Sequence, residues 1–147
     1  MTSDFPAGLS RQTLETVMNL DPAVVSFTRA NDAGTLWQAT VSVEGREPVQ
    51  LLVDNGINDI YVQVLARLDY NEIETHERDL LIASALKALE PYSTVGLTGL
   101  GNGIYLRSAF FIDHSTIHAF TNTLQGVALA YEAYLRQIPL TAAEFQA

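Results

Sequence analysis

The run LLIASALKAL, residues 80–89, is apolar almost all the way round a helix, and nothing else in the chain constrains the fold as strongly. A surface helix of a globular protein normally carries one apolar stripe, so a helix that is greasy on two sides has to be covered twice. At helical spacing Leu81, Ala85 and Ala88 form one row. Ile82, Leu86 and Leu89 form a second row about 100° away, with only Ser84 and Lys87 breaking the belt. One row can face the chain's own sheet. The other is covered either by further elements of the same monomer or by a second copy of the chain, and in so small a protein the second copy is the favoured cover. A homodimer is therefore expected.

The 147 residues fit one domain, taken as 1–147 with 1–9 and 138–147 expected to fray, and are enough to bury a core without staples. There is no cysteine, which rules out disulfides, thiolate metal sites and cysteine nucleophiles. No apolar run approaches the roughly 20 residues of a membrane span, and the start of the chain lacks the basic-then-apolar order of a signal peptide, so a cytoplasmic location is expected. The net charge of -9, from 17 acidic against 8 basic side chains, repels phosphate backbones and disfavours nucleic acid and anionic membrane as partners. A basic or apolar polypeptide suits such a chain better.

Local pattern gives the order of elements. Ser10 caps a short helix bearing Leu14, Val17 and Met18, which Asp21 and Pro22 end. Val25 and Phe27 mark a first strand, Asn31 to Gly34 a turn, and Trp37, Ala39, Val41 and Val43 alternate with polar residues in a second strand. Turns at Glu44 to Glu47 and Asp54 to Gly56 separate strands 49–53 and 60–67, completing an antiparallel meander. Asp69 to Glu72 opens the two-sided helix and Pro91 closes it. A hairpin of 94–98 and 104–112 follows, linked by Gly99 to Gly103. Asp113 or Ser115 caps a final helix whose stripe is Ile117, Phe120, Leu124, Val127, Tyr131 and Leu135, with Pro139 as its stop. The expectation is an α+β fold, one antiparallel sheet of meander plus hairpin covered by helices, in the order α-β-β-β-β-α-β-β-α.

Motifs for chemistry are weak. The glycines at 96, 99, 101 and 103 lack the Lys-Ser or Lys-Thr and the following helix of a phosphate cradle, and Asn102-Gly103 is explained as a hairpin turn. His114 and His118 stand four apart beside Asp113, a spacing that places two imidazoles on one helix face, yet no third ligand cluster accompanies them. His76, Glu77, Arg78 and Asp79 are consecutive and point in different directions, as a solvated helix start does. No nucleophile and base can be paired, so no catalytic residue, metal or cofactor is assigned, and binding is the default reading.

Three segments carry a resemblance: PVQLLVDNGINDIYVQVLARLDY, then a helix ending in LLIASALKALEPY, then GIYLRSAFFID before IHAFTNTLQGVALAYEAYLRQ. In order, size, acidity and lack of cysteine, residues 10–137 resemble the specialised chaperones of type III secretion, the class that includes the Tir chaperone. A related plan is that of the YbjN-like domain, a regulatory or accessory module without secreted cargo. The resemblance implies a homodimeric, ATP-independent chaperone that holds the N-terminal segment of a secreted effector in extended form. It makes Leu81, Ala85, Leu86, Ala88 and Leu89 the dimer candidates. Alternation puts Leu52, Tyr61 and Leu65 on the face opposite Leu51, Val53, Ile60, Val62 and Val64, so those three are the cargo-binding candidates, or else pack under another helix or a partner subunit. A third reading is a small ligand-binding or metal-dependent domain using Asp113, His114 and His118.

Overall fold

Trp37, Ala39 and Val41 are buried while Gln38 between them is exposed, the signature of a strand with one face on a core. Val49, Leu51 and Val53 repeat it on the neighbouring strand. A computed structural model describes residues 9–68, 74–101, 103–112 and 117–146 of the chain. A turn of 3-10 helix, Arg11–Thr13, leads into α1 (Leu14–Leu20). The meander follows as β1 (Val24–Arg29), β2 (Leu36–Val41), β3 (Val49–Asp54) and β4 (Tyr61–Arg67). Then come α2 (Thr75–Ala88), the hairpin β5 (Gly96–Leu100) and β6 (Gly103–Phe111), and α3 (Ile117–Gln146).

All neighbours in the six-strand sheet are antiparallel, in the order β1-β2-β3-β4-β6-β5. The expected α+β class and element order hold. The hairpin joins the meander through its second strand, so β6 lies beside β4 and β5 becomes an edge. Phe120, Leu124 and Val127 of α3 are fully buried in the cluster that takes in Trp37, Leu51, Val62 and Leu106 from the strands. Removing each such side chain from water stabilises the fold by about 1.5–3 kcal/mol.

The helical layer differs from expectation in one respect that matters. The two-sided α2 does not lie on the sheet. It packs against α3, and α3 in turn lies on β2, β3, β4 and β6. Ala85 and Ala88 are buried in the chain's own core, and Leu81 and Leu89 are half-buried against it. Small alanines let two helix backbones approach closely, which is how a short helix secures itself to a longer one.

Other local expectations shift for identifiable reasons. Val25 is an extra residue in a bulge between Val24 and Ser26 and stands 63% exposed, so Val24 and Phe27 face inward in place of Val25 and Phe27. Ile60 precedes β4 and is exposed instead of continuing its buried face. The glycine link shortens to 101–102, because Gly99 and Leu100 already pair with Ile104 and Gly103. On α3 Tyr131 stays half-buried against the core and Leu135 is 47% exposed, while Ala128, Ala130 and Tyr134 carry the fully buried face there. Pro139 does not stop the helix. The chain stays helical through residues 138–146, where Thr141 is buried, Gln137 Nε2 donates to its Oγ1 at 3.2 Å, and Glu144 pairs with Lys87 of α2. The expected opening of α2 at Asp69 to Glu72, Asn102 of the turn, and the cap at Asp113 or Ser115 lie outside the described residues.

Candidate functional site

Because α1, α2 and α3 all sit on one side, the opposite face of the sheet has no helix over it among the described residues. Strand register arranges that face in rows. Thr28, Gln38, Leu52, Leu65, Arg107 and Gly96 are successive cross-strand partners, and form a single row across all six strands. One step along the strands on this same face, Arg67 pairs with Tyr105 and Tyr105 with Thr98, while Gln50 pairs with Thr40 toward the β1 edge.

Between these rows runs a groove of about 180 Å³, lined by Gln38, Gln50, Leu52, Leu65, Arg67 and Tyr105 with the strand at Leu51. Leu52 and Leu65 make its apolar floor. Gln38 Nε2 donates to Gln50 Oε1 at 2.9 Å, closing one end with a paired amide ladder. At the other end the Arg67 guanidinium lies 5.7 Å from the centroid of the Tyr105 ring, a cation–π arrangement. The ring itself leans over Gly103, where a Cβ would come within 2.7 Å of it. A glycine here lets the aromatic lie flat along the strand. The groove is smaller than the roughly 300–1,000 Å³ typical of small-molecule pockets, and suits a side chain better than a cofactor.

The cargo-binding candidates are thus only partly brought together. Leu52 and Leu65 are direct cross-strand partners in the groove, with Leu65 only 4% exposed. Tyr61 is half-buried two rows away, against Phe111, with ring centroids 5.6 Å apart. Tyr105, Arg107, Ala109 and Phe111 are not among the site residues expected from sequence; alternation along β6 places them on one face, and only the register shows which of them border Leu52 and Leu65.

Of the dimer candidates, Leu86 alone is open, at 57% exposure, and Leu81, Ala85, Ala88 and Leu89 are engaged within the chain. His76, Glu77, Arg78, Asp79 and His118 are all exposed, while Asp113 and His114 lie outside the described residues. No group of three or more metal-ligating side chains occurs among the described residues. Two wider hollows lie elsewhere on the surface. One, of about 410 Å³, is lined by Pro22, Ala23, Ser42, Val43, Glu44, Gly45 and Gln125, and the other, of about 310 Å³, by residues of α1 and β1. Neither pairs a nucleophile with a base. No helix among the described residues is long and apolar enough to cross a membrane. Comparison with known protein families, with curated proteins and with solved structures finds no match to this chain.

Proposed function

We propose that this chain is a non-enzymatic, homodimeric chaperone that holds an extended segment of another polypeptide on the open face of its sheet. One observation carries the reading: a sheet covered by helices on one side only among the described residues, whose other side centres on the Leu52–Leu65 groove edged by amides, a tyrosine and an arginine. Apolar floor, polar edge and a volume fitted to a side chain are the features of a site that reads a peptide by alternate residues. As the resemblance to type III secretion chaperones implies, the segment is the N-terminal part of a secreted effector. The exposed Leu86 on α2 is the point from which a second copy is reached.

Affinity capture from a lysate of the source organism, protease trimming of the complex and mass spectrometry of the protected fragment test the reading. One partner protected near its N-terminus, and lost when Leu52→Lys is used as bait, is the expected result. Recovery of nothing above background, or equal recovery by Leu52→Lys, overturns it, and the former points to the accessory role of YbjN-like domains.

A further inference from the structure

Charge on the open face runs against the charge of the chain. With 17 acidic side chains to place against 8 basic ones, the chain pairs most of its cations internally. Arg11 meets Asp59, Arg29 meets Glu15, Arg46 and Arg136 share Glu132, and Lys87 meets Glu144. Arg107 is different. It is half-buried in the middle of β6, next to Leu65 on one side and Gly96 on the other, and makes no ion pair among the described residues. Within the strands, the one carboxylate on this face is Asp54, and it is already engaged by the Gly56 N–H at 2.8 Å and Gln63 Nε2 at 2.7 Å. Beside Arg107 there is room, since a Cβ built on Gly96 would meet nothing within 4 Å.

On the reading that the open face takes a polypeptide, we propose that the bound segment is acidic: it lies across the strands, sets an apolar side chain on Leu52 and Leu65, and presents an Asp or Glu carboxylate to Arg107 above Gly96. A guanidinium offers a carboxylate two parallel N–H donors, a geometry that lysine lacks. Partial burial strengthens the pair relative to one formed at an open surface. The net charge of -9, which by itself favours a basic or apolar partner, disfavours a nucleic acid backbone charged at every phosphate far more than a segment that brings one carboxylate to Arg107. It also makes a cationic spot beside the groove a selective one, since acidic segments are repelled elsewhere on the surface.

The test is selection of a displayed library of random-sequence peptides on the full chain, followed by calorimetry of the enriched consensus peptide. An Asp or Glu at fixed spacing from an apolar residue is expected. Affinity is expected to fall about tenfold with Arg107→Gln, as for loss of one charge-assisted contact. Gly96→Glu, which places a carboxylate opposite Arg107 on the adjacent strand, is expected to do the same, with far-UV circular dichroism unchanged in both variants. Rising salt weakens the wild-type complex and leaves the Arg107→Gln complex nearly unaffected. Enrichment of peptides without an acid, or a consensus bound equally by both variants, overturns the acidic preference while leaving polypeptide binding in place. No enrichment at all overturns both.

Discussion

The indole N–H of Trp37 donates to Oε2 of Glu15 at 2.7 Å, and the same oxygen accepts Arg29 Nε at 2.7 Å. Arg29 Nη2 takes the second carboxylate oxygen at 2.9 Å, so one side chain of α1 holds both β1 and β2.

That carboxylate titrates far from its usual range. The Arg29 hydrogen bonds first, and the Trp37 bond after them, lower the Glu15 pKa from 4.5 to about 2. A lowered folded pKa means that the contribution to stability is fully present above the unfolded value, 4.5, and is lost as pH falls through about 2. Trp37 is the only tryptophan, so its fluorescence reports the event directly. An acid titration is expected to show an emission change with its midpoint near 2, absent in Glu15→Gln. A midpoint near the ordinary carboxylate value contradicts the contact. Because Trp37 is 2% exposed, Glu15→Ala leaves a buried N–H without an acceptor, and is expected to cost about 1–3 kcal/mol by urea unfolding.

Asn55 is expected to be among the least replaceable polar residues. It is fully buried, its Nδ2 donates to the carbonyls of Asn58 and Tyr61, and its Oδ1 accepts Arg11 Nε at 2.7 Å. The Arg11 Nη2 also donates to the Asn55 carbonyl at 2.6 Å. Asn55→Ala strands several buried groups at once and should lower unfolding free energy by roughly 3 kcal/mol or more. Arg11→Ala keeps the Asn55 bonds to Asn58 and Tyr61 and, of its own partners, frees only the exposed Asp59 to water, so it should cost less, and a reversed order in denaturant melts would refute the account.

For α2, substitutions separate self-association from folding. Leu86→Glu adds a charge where the side chain already faces solvent, so the monomer fold should change by no more than about 0.5 kcal/mol. On the proposal that the chain is a homodimer, sedimentation should show a wild-type dimer and a folded Leu86→Glu monomer. Ala85→Glu, with no exposure at 85, should unfold the chain instead. A Leu86→Glu protein that still sediments as a dimer would remove α2 from the interface.

Pro139 offers a gain. Within a helix a proline removes a backbone hydrogen bond and crowds the preceding turn, at about 3 kcal/mol, so Pro139→Ala should raise stability by up to that amount. A calorimetric Tm below that of the wild type would show that the proline is needed for the geometry of the Lys87–Glu144 contact.

Periodicity alone made the meander and the buried faces of β2, β3 and β4 legible, because alternation with period two is a local property. It failed where geometry is set at a distance. Val25 looks like an inward residue until the bulge is seen, and Pro139 looks like a stop until Thr141 and Glu144 are found anchored beyond it. The apolar belt of α2 signalled a helix that must be covered, but its cover within the chain is α3 and not the sheet. The groove was half visible: Leu52 and Leu65 follow from alternation, whereas their neighbours Tyr105 and Arg107 come from a strand some 40 residues later and depend on the order of pairing.

The stacking of α2 on α3, and of α3 on the sheet, has a kinetic corollary. A layer held only by the layer beneath can detach without disturbing what lies below, so α2 is the natural first unit to open in the native state. Its departure bares the side of α3 that it covers while leaving the six strands paired. The molecule therefore carries a removable helical cover on one side of its sheet, while the other face has no helix over it among the described residues, so opening of the first leaves the second unchanged.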